Sequence, residues 1–427
     1  MRKILILSAG VLMMGALTFT SCSSDNNNNE TPTPTDEAQY KDKKYGNEAI
    51  DACVTLVGQL ESANGVIAQS SLTAEQETYL RNVLASLVSN VIVPTYTKLA
   101  DDTEDLEKTL NGLTVNSITQ AQINKACEDF KAARENWERS EAFLGGAASD
   151  FDIDPTIDSW PLNRSLLLTY LRSGHTDFSD EEIEDATILG FHALEFILFR
   201  NGQPRKVAEL QGNDTYKGFE AVSGASELAY AQRICTLLKE RTFQLQVAWE
   251  GATTANAGRL ATVKAAGLDY TTDLGLSFGE NLVRAGEGNS TFPTLKAAIA
   301  QVLSDDEGSC VGIANEVGTA KIANPFANAD IAYVESPYSY NSITDFSDNI
   351  RSIRNVWYGS TNGTAASVSF NSFFANVGQN AVNTSVAGAF NSAIDKISAM
   401  PSPFVKYCSI VWGKNFDDPD NWDSISE

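Results

Sequence analysis

The chain contains only two histidines, and one of them lies in an apolar segment close to a glutamate. Residues 187–199 read Thr-Ile-Leu-Gly-Phe-His-Ala-Leu-Glu-Phe-Ile-Leu-Phe, so that Glu195 follows His192 by three residues. At this spacing the two side chains lie on the same face of a helix. A helix that is apolar on all sides is normally buried, and a buried carboxylate must be protonated, paired or bound to a cation. His192 and Glu195 are therefore the first candidates for chemistry.

Two more carboxylates lie where core residues are expected. Residues 119–144 predict an amphipathic helix whose apolar stripe contains Trp137 and also takes in Glu141, with Glu138 one turn earlier at the edge of the stripe. A carboxylate at a core position indicates a bound cation or a buried basic partner. The alternative is an ordinary amphipathic helix in which Glu141 reaches solvent or pairs with an arginine such as Arg134.

A polar loop before Trp160 supplies further oxygen ligands, among them Asp154 and Asp158. We expect one carboxylate of this loop to complete a site, because the glycine and the closing glutamate of a calcium loop are missing. The sequence has no H-E-x-x-H helix, and the second histidine, His175, stands in a separate turn. One histidine with several carboxylates suits iron, manganese or calcium at least as well as zinc.

Helical periodicity dominates the chain and predicts an all-α protein. A capping box formed by Ser179 and Glu182 predicts that the helix of His192 covers residues 180–200. A segment rich in Gly and Ala, residues 251–279, separates two groups of predicted helices. The simplest architecture is two helical bundles in tandem, over residues 46–250 and 251–427.

The amino terminus has the order of a secretory leader, with Arg2 and Lys3 ahead of an apolar run that ends in Thr20-Ser21-Cys22. Cysteine directly after a small residue resembles the lipobox of bacterial lipoproteins. We therefore predict a signal peptide over residues 1–21, acylation of Cys22, and a polar flexible tether over residues 22–45. The predicted location is the cell envelope, as a periplasmic or outer-membrane lipoprotein.

The net charge is −24, from 55 acidic and 31 basic residues. A surface this acidic repels nucleic acid and anionic lipid headgroups. We therefore expect no nucleic-acid partner, and contact with the membrane only through the lipid anchor.

The segment Gly190-Phe191-His192-Ala193-Leu194-Glu195 resembles the Gly-x-His-x-x-Glu motif of the imelysin family, which is also catalogued as the M75 peptidases. The resemblance spans most of the chain that follows the predicted tether. Its other motifs stand in the expected order at residues 90–96, 137–143, 153–161 and 348–359.

This resemblance implies a helical envelope protein of two bundle-like halves that is associated with iron acquisition. It also implies a metal site made of His192, Glu195, Glu141 and Asp158, with Glu138 nearby. The first hypothesis is a lipoprotein that binds iron or an iron-bearing ligand for an uptake transporter. The second is a metallopeptidase in which Glu195 or Glu141 acts as the base. The third is an adaptor in a surface uptake complex, with a His-Glu pair that is only structural.

Overall fold

The computed structural model describes residues 38–172, 185–305 and 307–422. Helices dominate these residues, and the prediction of an all-α protein is confirmed. The helices up to residue 250 are α1 (Lys44–Gln69), α2 (Ala74–Leu87), α3 (Val93–Asn111), α4 (Gln120–Glu138), α5 (Ala147–Asp150), α6 (Asp154–Asp158), α7 (Arg164–Arg172), α8 (Gly190–Leu198), α9 (Val207–Gln211) and α10 (Gly224–Glu250).

The second part of the chain continues with shorter helices. They are α11 (Ala257–Ala265), α12 (Phe278–Val283), α13 (Leu295–Leu303), α14 (Cys310–Glu316), α15 (Ala323–Phe326), α16 (Ser342–Tyr358), α17 (Phe370–Asn376), α18 (Asn380–Ser398) and α19 (Phe404–Trp412). Within the described residues the strands are β1 (Phe199–Arg200) and β2 (Gln203–Pro204), which pair antiparallel in a small hairpin after α8.

The helices pack in two groups around a largely continuous hydrophobic core. In one group α3, α4, α8 and α10 pack together, and in the other α1 packs on α14 and α18, which both contact α16. Helix α16 also packs on α4 and thereby joins the groups. Helix α1 precedes the first group in sequence but packs with the second. The described residues form one compact unit, and a domain boundary at residue 250 stays a prediction.

Two helical segments contain a wide π turn shortly before a proline. One π turn, Val88–Ile92, joins α2 to α3 ahead of Pro94, and the other, Val317–Ile322, joins α14 to α15 ahead of Pro325. Proline has no backbone N–H, so it cannot donate the usual bond to the preceding turn, and the chain adjusts there. The helical chain therefore continues past Pro94, with one π turn ahead of it.

Three predicted boundaries differ from the structure. The helix predicted over residues 119–144 ends at Glu138, and Glu141 lies in a separate 3₁₀ turn, Glu141–Phe143. The helix of His192 begins at Gly190, whose positive φ of 65° stops regular helix from continuing toward the amino terminus. The segment predicted as a linker contains α11, which packs on α10.

Cys22, His175 and the predicted Ser179–Glu182 capping box lie outside the described residues.

Candidate metal centre

Gly190 brings the two parts of the predicted site together. A Cβ atom at this position would lie 1.9 Å from the carbonyl oxygen of Ile157, so only glycine lets the start of α8 approach the last turn of α6 this closely. The approach places His192 Nε2 3.0 Å from Oδ1 of Asp158. The indole N–H of Trp137 donates to the other oxygen, Oδ2, over 2.6 Å. The glycine of the motif therefore has a defined steric role.

A buried arginine lies at the middle of the carboxylates. Arg134 on α4 has a fully buried side chain, and its guanidinium contacts Asp158, Glu138 at 2.5 Å and Glu335 at 2.6 Å. Its Nε atom lies 3.7 Å from Asp345. The sequence offers Arg134 as a partner of Glu141, but in the structure Arg134 pairs with other carboxylates.

Lys321 supplies a second buried cation from the π turn between α14 and α15. Its Nζ atom lies 3.0 Å from Glu335, 3.7 Å from Glu316 and 3.9 Å from Glu138. Sequence reasoning missed Lys321, Glu335 and Asp345. A lysine within the largely apolar residues 310–326 was a usable signal for Lys321, whereas Glu335 stands in a loop without periodicity.

Buried acidic groups outnumber buried basic groups in this cluster. The acidic members are Glu138, Glu141, Asp158, Glu335 and Asp345, and the basic members are Arg134, Lys321 and, when it is protonated, His192. Burial raises the pKa of Glu138 and Glu141 well above the usual range, and raises that of Asp345 to about 7. Protons therefore offset part of the excess charge, and a bound cation could replace them.

The contact between Asp158 and His192 lowers the pKa of the carboxyl group and raises the pKa of the imidazole. Burial disfavours the ionised carboxylate of Asp158, but Arg134 and His192 outweigh burial and hold its pKa below the usual range. Burial also disfavours protonated His192, but Asp158 outweighs it and raises the pKa of His192 to about 9. At neutral pH the pair is therefore ionised in the metal-free protein.

Glu141 differs from the other carboxylates of this cluster because no cation or hydrogen-bond donor contacts it directly. The residue is 5% exposed, and within the described residues its side chain forms no hydrogen bond and no ion pair, although the charge of Lys321 favours its ionised form. It faces a cleft of about 570 Å³ that Asp154, Asp158, Trp160 and Glu316 also line. A largely buried carboxylate that faces an open cleft without a direct contact partner is a candidate ligand for a cation.

Two groups of potential ligand atoms share Asp158. In one, single atoms of Glu138, Glu141 and Asp158 lie within 4.8 Å of one another; in the other, the same holds for Asp158, His192 and Glu335. These are the groups that the described residues contain. Four of the five predicted metal-site residues therefore belong to at least one of them.

Glu195 is the exception, and its carboxylate is held by the other half of the chain. Its Oε1 atom accepts hydrogen bonds from the backbone N–H of Tyr338 at 3.0 Å, and from the backbone N–H and hydroxyl of Ser339 at 2.7 and 2.6 Å. Its Oε2 atom lies 3.8 Å from His192 Nδ1. In this geometry Glu195 connects α8 to the loop that carries Glu335.

The fold and the site define an all-helical protein with a buried, carboxylate-rich centre that contains one histidine. The family of this class that matches the chain is the imelysin family, Peptidase M75, over residues 92–421. The chain belongs to that family, and the resemblance read from the motifs is confirmed.

Two individual relatives are informative. Iron-regulated protein A of Synechococcus elongatus is 25% identical over 304 residues, which is 71% of either chain. The crystal structure of a candidate iron-regulated protein A precursor from Parabacteroides distasonis ATCC 8503 is similar with a TM-score of 0.59 and 22% identity. That match covers 81% of this chain and 96% of the other, and it shows a shared fold.

Proposed function

We propose that this protein is an envelope lipoprotein that binds an iron ion at the floor of the cleft and holds it for uptake. The observation that carries the proposal is the unpartnered, buried carboxylate of Glu141 beside an excess of acidic groups. The names of relatives in the same family connect those proteins with iron regulation.

Glu141 and Asp158, which belong to one group of potential ligand atoms, are the ligands that we favour, and His192 joins them from the other group if the ion draws it closer. Glu141 and Asp158 face the cleft, and His192 lies directly behind Asp158. Glu138 can join them if its contact with Arg134 loosens when an ion neutralises the cluster. Carboxylate oxygens with one imidazole suit iron, and zinc, manganese or calcium are the competing ions that any test must include.

A carrier fits this arrangement better than a peptidase. A hydrolytic site needs a base that is free to take a proton from metal-bound water. The Oε1 atom of Glu195 already accepts hydrogen bonds from Tyr338 and Ser339, its Oε2 atom lies 3.8 Å from His192 Nδ1, and the residue is not part of the cleft lining. Glu141 has no such contacts, but the proposal already uses its carboxylate as a metal ligand.

Calorimetry with ferrous sulfate under anaerobic conditions tests the proposal. We expect the mature protein to bind about one ion per chain, and Glu141→Gln to weaken binding at least tenfold, on the order of the loss that follows removal of a metal-site group. Glu61→Gln, an exposed change of equal charge on α1, is the matched control and should bind like wild type. Absence of binding by wild type, or equal affinity in Glu141→Gln, would falsify the proposal.

A further inference from the structure

We propose that the cleft takes a hydrated multivalent cation that carries no organic chelator, and that Asp154 and Glu316 capture it first. This inference rests on the proposed function, because it names the form in which the metal arrives at that site. It also assigns a role to two residues that lie outside both groups of potential ligands found among the described residues.

The charge of the cleft wall is the first argument. Its ionisable lining residues, among those that the structure describes, are Glu141, Asp154, Asp158, Glu307, Glu316 and Lys321. Lys321 is the single basic member of that lining and is 3.0 Å from the buried Glu335, so its charge is already compensated. Iron chelates built on carboxylate or phenolate groups are anionic and need basic residues for recognition. This wall repels such a chelate and attracts a bare or hydrated cation.

The size of the cleft is the second argument. Six waters at about 30 Å³ each occupy roughly 180 Å³, whereas the cleft offers about 570 Å³. An ion can therefore enter with its first hydration shell intact. Ferric ion hydrolyses and precipitates at neutral pH unless it is chelated, so the aqua ion that fits this cleft is ferrous iron.

The third argument is the gradient of burial along the cleft. The side chain of Glu316 is 43% exposed, Asp154 is partly buried without a hydrogen bond or ion pair within the described residues, and Glu141 is 5% exposed. The outer two carboxylates can hold the ion through its waters. The inner carboxylates then replace those waters, as hard oxygen ligands do at divalent cation sites.

Two iron probes, each measured with the same protein, distinguish binding of a hydrated iron ion from binding of an iron chelate. The probes are ferrous sulfate under anaerobic conditions and ferric citrate, each measured by calorimetry with the mature wild-type protein. We expect ferrous iron to bind and ferric citrate to give no binding. Intact ferric citrate binding as tightly as ferrous iron would overturn the inference while leaving metal binding in place. Binding of neither probe would instead remove the proposed function.

The capture step is measured separately by stopped-flow tryptophan fluorescence, since Trp160 lines the cleft. For Asp154→Asn combined with Glu316→Gln we expect association to slow on the order of tenfold at low salt, and the difference to shrink as salt is added. The number of ions bound should stay unchanged. The control is Asp51→Asn combined with Glu61→Gln, the same charge change on the exposed face of α1.

One result would contradict the role of these two residues in capture. If the cleft variant binds ferrous iron as fast as the control variant, while Glu141→Gln still weakens binding at least tenfold, Asp154 and Glu316 are not capture residues. A thermal melt of each variant, compared with wild type, confirms that the measured protein is folded.

Discussion

At the residue scale, Glu195 is the motif residue whose role the structure changes most. Its Oε1 atom holds the backbone of Tyr338 and Ser339, and a glutamine oxygen can accept the same bonds. We predict that Glu195→Gln keeps iron affinity within about threefold of wild type. Glu195→Ala should lose the loop contacts and destabilise the protein by about 2–4 kcal/mol, because it leaves buried donors unsatisfied.

Calorimetry and thermal melting of both variants provide the measurement. Ser339→Ala is a useful companion, since it removes one donor to Glu195 and leaves the carboxylate in place. If Glu195→Gln loses iron as completely as Glu141→Gln, then Glu195 is a direct ligand, as the resemblance to the family implies.

His192 makes the stability of the metal-free protein depend on pH. Its folded pKa of about 9 lies above the ~6.5 of an unfolded histidine, so its pair with Asp158 stabilises fully below that lower value. The stabilisation is lost as pH rises from ~6.5 through about 9. We predict that unfolding free energy falls over this window by up to about 3 kcal/mol more in wild type than in His192→Gln.

Denaturant unfolding at pH 6.5 and pH 9, with a chelator present, measures this difference. The comparison with His192→Gln removes the contribution of other groups that titrate in the same window. Equal pH dependence in the two proteins would show that His192 is not charged by its contact with Asp158.

At the scale of elements, the contact between α6 and α8 depends on one glycine. Alanine at Gly190 would combine a left-handed backbone with a methyl group 1.9 Å from a carbonyl oxygen. We predict that Gly190→Ala destabilises the protein by about 2–4 kcal/mol and weakens iron binding, since α8 must move away from Asp158.

Gly258→Ala is the matched control for this prediction. Gly258 lies in α11, and a Cβ atom there would meet nothing within 4 Å. Alanine should therefore leave iron binding unchanged and stabilise the helix by about 0.5–1 kcal/mol. A Gly190→Ala protein that melts and binds like wild type would show that the close approach of α6 and α8 is not required.

At the scale of the whole molecule, the predicted anchor decides where the protein resides. Acylation of Cys22 predicts that wild type fractionates with membranes and that Cys22→Ala becomes soluble or stays unprocessed. Ser24→Ala, two residues further along the predicted tether, should behave like wild type. Recovery of Cys22→Ala in membranes at the wild-type level would rule out acylation as the anchor.

Access of a peptide to the metal, which depends on the whole molecule, distinguishes a carrier from a hydrolase. A metallopeptidase must admit an extended peptide to a metal with an open coordination position and a nearby base. We predict that the iron-loaded mature protein does not cleave denatured casein over hours, as followed by gel electrophoresis. Cleavage that a chelator abolishes and added metal restores would make the peptidase hypothesis the better one.

The sequence alone determined the helical class and the family, and it singled out candidate residues for the site. The apolar character of residues 404–412 predicts a final helix that docks on the core, and α19 has those bounds. Apolar surroundings singled out His192, Glu138 and Glu141, because carboxylates and a histidine are costly there unless they are partnered, whereas the resemblance to the family singled out Asp158. Such signals are local, and they can be read without knowing which helices meet.

The tertiary structure decided which charges face each other. Arg134 meets Glu335 across 201 residues of sequence, and Glu195 meets Ser339 across 144. Periodicity tells which face of a helix is buried, but it does not tell which distant carboxylate will share that space with a given cation. Only the packed fold showed that Arg134 and Lys321 form ion pairs with other buried carboxylates, and that Glu141 forms none within the described residues. The reason is that ion pairing in a core depends on distances that the order of residues does not contain.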